Sequence, residues 1–350
     1  MTYETILNDA KTYLSAKGYR LADTLMEHFY LSLQNRPFTV ILCRSDAPMT
    51  EFVRLLAEAI GVTEENGRFQ CLSVKPDWMD FSDLFGYVRL SGRFEPGAII
   101  DFVKAAQDDP GKPHILCLDR LLLDRAGYYL NDILRPMEGR KEENNQSQPL
   151  VTEKYFGSDE GAAQKYGTLY LPENLYVVCT LNLDETSLPL KQDLLDRVYT
   201  MELTKEDLVC CGAETAAQPA AADNAFLQPV FRGLFQCGKR QTQLEACFAE
   251  FEAMNKMLIK GSAYVGYQLR NDAAVYVLNA VETQMLGRDQ AMDQQILQKV
   301  LSHVQGSMKS VGPVLADLAA YCKDRYPRSG KKIAEMIEKG EKEDYTSCWI

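Results

Sequence analysis

Histidine, tryptophan and closely paired cysteine are what this sequence has least of. Its 350 residues hold three histidines and two tryptophans. His28, His114 and His303 have no companion at metal-ligand spacing, which argues against a histidine-built metal centre and makes them core or surface residues. Trp78, in KPDWMDF, reads as a packing residue. Ten cysteines are present, but no two form a C-x-x-C pair, and several lie inside apolar runs as small hydrophobes would. Cys210 and Cys211 read as a buried pair of thiols, and the whole set as the reduced thiols of a cytosol. No window approaches 18 uninterrupted apolar residues, and the start MTYETILNDAKTYL is polar and amphipathic, so neither a membrane span nor a secretory leader is expected. The expected location is the cytoplasm. Positive charge is also short: 38 Lys and Arg against 49 Asp and Glu leave a net charge of −11. Phosphate neutralisation supplies most nucleic-acid affinity, so a dedicated nucleic-acid surface is not expected.

What is present is ordinary globular material, 46% hydrophobic and 25% charged, in a chain long enough for two domains. Residues 1–35 read as two helices, with Ile6, Tyr13, Leu14, Leu21, Leu25, Phe29 and Leu33 forming an apolar stripe. Five short apolar runs follow: Val40–Cys43, Phe69–Val74, His114–Leu118, Leu175–Leu181 and Val198–Leu203. Helical or loop-like sequence separates them, the pattern of a parallel α/β sheet covered on both faces. Residues 139–167 are polar and turn-rich and read as an exposed loop or hairpin. The Ala-rich stretch 211–225 reads as a linker between a 36–210 core and a helical region over 226–350. No internal repeat is evident, and the helical region shows no strand alternation.

The chemistry begins at PFTVILCRSDAPMTEFVRLLAEAIG, residues 37–61. A buried strand, a tight loop and a helix N-terminus form the arrangement that cradles phosphates, where G-x-x-x-x-G-K-[ST] is expected. Here Cys43, Pro48 and Met49 stand in place of Gly, Gly and Lys, and only Thr50 matches. Downstream, HILCLDR ends a strand in Asp119, from which a carboxylate holds magnesium; the next residue is Arg120 where a hydrolase carries Glu. YVVCTLN ends in Asn182, suited to orienting an attacking water, and DLLDRVY places Asp196 and Arg197 just before the last strand.

With these stations in order, the chain resembles the AAA+ ATPases, and within them the branch that includes McrB-like, MoxR-type and dynein-related proteins. The resemblance implies an AAA+ P-loop NTPase-type fold, a parallel sheet sandwiched by helices and followed by a helical lid. It assigns Ser45, Met49, Thr50 and Arg270 to the nucleotide, Thr50 and Asp119 to Mg, Asn182 to sensor 1, Arg270 to sensor 2, and Arg197 to an arginine finger acting in trans. The segment around Asp83, Gly86 and Tyr87 is similar to the helix-2 insertion hairpin of that branch. The implied cofactor is ATP or GTP with Mg, or none. The implied partners are an AAA+ homo- or hetero-oligomer, an active AAA+ companion or a McrC-like nuclease, as in restriction and anti-phage systems.

The departures from the pattern are severe. Pro48 removes a backbone donor, the lost glycines restrict the positive φ that an anion nest uses, and Met49 deletes a cation. Arg120 removes the water-activating carboxylate and places a cation beside Asp119, where the two would pair in place of magnesium. The expectation is therefore a catalytically degenerate assembly or regulatory subunit. The alternatives are a weak ATP- or GTP-binding NTPase, and an interaction or nucleic-acid-associated platform that binds no nucleotide.

Overall fold

Two helices open the chain in the computed structural model, which describes residues 2–22, 24–43, 48–78, 80–121, 130–138, 147, 149–183, 192–204, 206–212 and 217–349. α1 (Tyr3–Ala16) starts at Thr2, whose side chain accepts from the Thr5 N–H, and it buries Ile6, Leu7, Ala10, Tyr13 and Leu14. That spacing is one helical face. A short strand, β1 (Tyr19–Leu21), leads to α2 (Leu25–Asn35). α2 carries more than a stripe, being buried from Leu25 through Gln34. The helical region packs against its other side: His28 Nδ1 is hydrogen-bonded to Tyr276 Oη at 3.0 Å, and Asn279 Nδ2 donates to Asn35 Oδ1 at 2.8 Å.

The core alternates as the apolar runs imply. β2 (Phe38–Cys43) is buried at every residue and precedes α3 (Met49–Ala59). β3 (Phe69–Ser73) leads through α4 (Phe81–Phe85) into a hairpin of β4 (Gly86–Val88) and β5 (Phe94–Pro96), then α5 (Ile100–Asp108). β6 (His114–Asp119), β7 (Leu175–Asn182) and β8 (Tyr199–Leu203) complete a five-stranded sheet in the order β3-β6-β7-β2-β8. Every neighbouring pair is parallel. With helices on both faces and a helical region behind it, this is the AAA+-type architecture that the resemblance implies. β9 (Leu208–Cys210) returns to pair antiparallel with β1, which ties the end of the core to its N-terminus.

The hairpin is held by glycine. Gly86 has φ +107°, and a Cβ there would lie 2.3 Å from Glu95 O, 2.6 Å from the Phe94 ring and 2.9 Å from Gly97 N. Tyr155 Oη donates to the Gly86 carbonyl, and Phe94 packs edge-on against Phe156 at 5.0 Å. The segment read as an exposed loop over 139–167 therefore buries Phe156 completely against this hairpin; its residues 139–146 and 148 lie outside the described set. Leu90 stands fully exposed at the hairpin tip. Replacing Gly86 with Ala is expected to destabilise the fold by roughly 3 kcal/mol, from overpacking plus left-handed strain. Gly67→Ala is the control, since φ is +72° there but nothing lies within 4 Å; it should cost about 1 kcal/mol. Urea unfolding of both variants checks the ranking.

The stretch read as a linker packs tightly where it is described. Ala220 N–H donates to Ala59 O at 2.9 Å, and Ala220 and Ala222 are both buried. Small side chains there permit close approach to the end of α3. Helices at Gln241–Leu258, Tyr267–Glu282, Arg288–Gln295, Met308–Cys322 and Pro327–Glu343 form the helical region. A small antiparallel pair not evident in the sequence, β10 (Gln305–Ser307) with β11 (Tyr345–Ser347), closes it. One hydrophobic cluster runs from α1, α2 and α3 through the whole helical region, so core and lid share buried surface. No helix among the described residues is long and apolar enough to cross a membrane.

Candidate functional site

In an open parallel sheet, ligand chemistry collects at the carboxyl ends of the strands. Asp119 ends β6, Asn182 ends β7, and Cys43 ends β2 directly opposite Asn182 in register. The N-terminus of α3 meets them there. Thr50 Oγ1 donates to Asp119 Oδ1 at 2.5 Å, so two of the predicted magnesium positions are in contact. Thr180 Oγ1 donates to the same carboxylate oxygen at 2.6 Å and accepts the Arg120 N–H at 2.9 Å. Thr180 was missed from the sequence. Its one signal is a hydroxyl two residues before Asn182 in an otherwise apolar strand.

The other predicted positions depart from a phosphate cradle. Met49 is the first residue of α3, yet its side chain is only 8% exposed and packs in the hydrophobic cluster. Pro48 is exposed and has no N–H to offer. Ser45 lies outside the described residues. The Arg120–Asp119 ion pair suggested by the sequence is not formed. Arg120 has φ +59° and an exposed side chain, while the Asp119 oxygen is taken by the two threonine hydroxyls. The left-handed backbone turns residue 120 away from the line of β6.

These residues fit one half of a magnesium nucleotide. A hydroxyl and a carboxylate are hard oxygen donors suited to Mg, which keeps several waters and needs few protein ligands. No cluster of three or more His, Cys, Asp or Glu able to hold a metal occurs among the described residues. The phosphate half does not fit, because the lysine position is a core methionine and one glycine position is proline.

Arg270 lies elsewhere. Its guanidinium sits 4.0 Å over the Phe248 ring and 4.9 Å over Tyr267, with Glu252 at 3.8 Å and Asn271 as hydrogen-bond acceptor. All of these belong to the helical region, and none is Thr50, Asp119 or Asn182.

Arg197 stands at the opposite edge of the sheet, at the C-terminus of the helix Gln192–Arg197 and just ahead of β8. Its Nη1 donates to Asn131 Oδ1 at 2.5 Å, and its carbonyl accepts from Arg36 Nη1 at 2.8 Å. Arg36 in turn pairs with Asp272 of the helical region. Arg36, Arg197, Arg232, Asp272 and Glu173 line a cavity of about 300 Å³ there. The helical region fixes this helix from behind. Burial raises the Asp196 carboxyl, but hydrogen bonds from His303 and Gln192 outweigh it and hold the group below the usual carboxylate range.

Lys299 completes that grip from a π-helical turn, Ile296–Val300. Its Nζ donates to Leu195 O at 3.0 Å and Val198 O at 2.6 Å, and lies 4.9 Å over the Tyr199 ring. Burial, reinforced by Arg36, lowers its pKa to about 7. A neutral amine has two N–H donors, enough for the two carbonyls. The unfolded chain, with an ordinary lysine, binds more protons than the folded one between pH 7 and the normal lysine range, so this group's contribution to stability rises with pH there. Wild type is expected to gain stability relative to Lys299→Met as pH rises from 7 to 9, by up to about 1.4 kcal/mol per unit. Urea unfolding of both proteins across that range tests it, and a constant difference would count against a neutral folded-state lysine.

A family described as a domain of unknown function, DUF8727, matches residues 223–345, the helical region. No curated protein matches the chain. Among solved structures, a protein of Cytophaga hutchinsonii named provisionally as an ATPase is 11% identical, with 86% of this chain and 87% of that one covered, at a TM-score of 0.47. NtrX from Brucella abortus is 16% identical over 57% of this chain, which spans only 39% of NtrX, at a TM-score of 0.30. Likeness at these scores decides nothing about what the chain does; its AAA+-type fold stands on the strand order and the parallel register.

Proposed function

We propose that this chain is a catalytically degenerate AAA+ subunit of the McrB-like, MoxR and dynein-related branch, retained for assembly or regulation of an oligomer. The observation that carries the reading is the burial of Met49. A lysine at that place reaches phosphate, whereas this side chain is part of the core. The partner the reading calls for is an AAA+ ATPase with an intact G-x-x-x-x-G-K-[ST] loop, with a McrC-like nuclease as a further member in a restriction or anti-phage setting.

A second reading, a weak ATP- or GTP-binding NTPase, is favoured by one contact, the Thr50 hydroxyl on Asp119. Thermal unfolding separates the two, because only a ligand that binds the folded state raises the melting temperature. Millimolar Mg·ATP or Mg·GTP is expected to shift the wild-type melting temperature by less than about 1 °C; a site half-filled at that concentration would add roughly 0.4 kcal/mol. A clear, magnesium-dependent shift abolished by Asp119→Ala would overturn the first reading in favour of the second. No shift even after Cys43→Gly, Pro48→Gly and Met49→Lys are combined in a folded protein would favour a platform that binds no nucleotide.

A further inference from the structure

We propose that Cys71 and Cys117 form an oxidisable dithiol, a peroxide-responsive modification site on the edge of the sheet. The two residues are direct register partners on the parallel strands β3 and β6. Neighbouring strands lie about 4.8 Å apart, inside the roughly 4.4–6.8 Å Cα separation that a disulfide bridges. Both side chains leave the same face of the sheet, toward the cluster beneath α3. Cys179, one strand further on, belongs to the cluster on the other face and cannot compete for either.

The two thiols differ in the way such a site requires. β3 is the outer strand of the sheet and Cys71 is half-buried, whereas Cys117 is 0% exposed. A small oxidant meets Cys71 first, and Cys117 is the resolving thiol. Hydrogen bonding with the Cys117 thiol lowers the Cys71 pKa and Arg54 adds to it, against burial, Asp119 and Glu64. The Arg54 guanidinium is shared with Glu51 at 4.0 Å and Glu64 at 3.4 Å, so its pull on the thiol is partly offset. A partly accessible thiol with a second thiol directly opposite it is where an oxidant can act and be resolved.

The chemistry balances with hydrogen peroxide as the oxidant. The Cys71 thiolate attacks one peroxide oxygen, an S–O bond forms, the O–O bond breaks, and the departing hydroxide takes up a proton to become water. The Cys117 sulfur, giving up its proton, attacks the Cys71 sulfenic acid; the S–S bond forms, the S–O bond breaks, and a second water leaves. The two thiols lose two electrons and one peroxide gains them. A disulfide of this kind in a reducing compartment is transient, as expected of a sensor rather than a staple.

The test treats the full chain with stoichiometric hydrogen peroxide, alkylates it in denaturant and maps the peptides. A Cys71–Cys117 linked peptide is expected, with both alkylation sites lost in most molecules and recovered with dithiothreitol. In Cys117→Ala, Cys71 should instead be trapped by dimedone as the sulfenic acid. Because Cys117 is buried and that variant could fail to fold, Cys71→Ser is the second arm, in which Cys117 should remain fully alkylated. Full alkylation of both residues in wild type, at a dose that oxidises the exposed Cys210 and Cys211, would overturn the proposal. So would a link from Cys71 to any other cysteine.

Discussion

Purified protein is expected to hydrolyse ATP and GTP no faster than its own Asp119→Ala variant. Three losses act together: the cation at position 49, the backbone donor at position 48 and the water-activating carboxylate at position 120. Removing one such stabilising group costs on the order of 10²–10³ in rate, and groups that act as a unit do not degrade additively. The geometry adds to the sequence argument. Met49 is buried and is not a vacancy that a substrate could fill, and residue 120 sits in the left-handed region with its side chain in solvent. Arg120→Glu alone is therefore expected to leave the rate at background, because a carboxylate on that backbone does not start in line with Asp119. Malachite-green phosphate release under single-enzyme conditions, wild type beside Asp119→Ala, decides the matter. Turnover near 1 s⁻¹ that vanishes in the variant lies in the ordinary enzyme range and would sink the degenerate reading.

The parts of the fold legible in the sequence were those written as uninterrupted apolar runs. VILC, HILCL and LYVVCTL are buried on both faces as strands, and such runs have no polar side to mislead the assignment. Packing between distant segments was not legible. α2 shows a stripe in sequence but is buried all round, because the helix Tyr267–Glu282 lies on its other face. The alanines of 217–222 look like a flexible tether because small residues serve both for freedom and for close approach. Cys210 and Cys211, expected to be buried, are exposed: Cys210 ends β9 of the two-stranded ribbon, whose buried position is Leu208, and Cys211 follows it. At the site, Asp119 and Thr50 were named by motif spacing and do meet. Thr180 and Lys299 carry no motif, and only the fold brings the first to Asp119 and the second to the helix that ends in Arg197.

The largest effect is expected in trans, at Arg197. In an AAA+ ring each nucleotide lies between two subunits, so a chain with a decayed pocket of its own can still complete its neighbour's. On the proposed reading, the two ends of this sheet differ in that way. The carboxyl end has a buried methionine at position 49 and a proline at 48, while the opposite end carries Arg197 on a short helix held by Lys299, His303 and Arg36. These contacts fix the backbone that carries Arg197; on the proposed reading its guanidinium would meet a developing charge, and preorganisation of that kind is where a rate advantage arises. An arginine finger supplied in trans contributes about 10³–10⁵ in rate. Mixed with a co-assembling AAA+ ATPase that retains the intact phosphate loop, Arg197→Ala is thus expected to lower that partner's turnover by about 10³ or more relative to wild type. The bond from Arg197 to Asn131 gives a bland alternative, in which the arginine merely ties the helix Asn131–Glu138 in place. Asn131→Ala separates the two, since it removes the tie and keeps the guanidinium; it is expected to leave the partner's turnover within a few fold. Both comparisons are made at equal assembly, judged by sedimentation. Equal partner turnover with wild type and Arg197→Ala in complexes that assemble alike would remove the finger role and leave Arg197 as a structural link between the core and its lid.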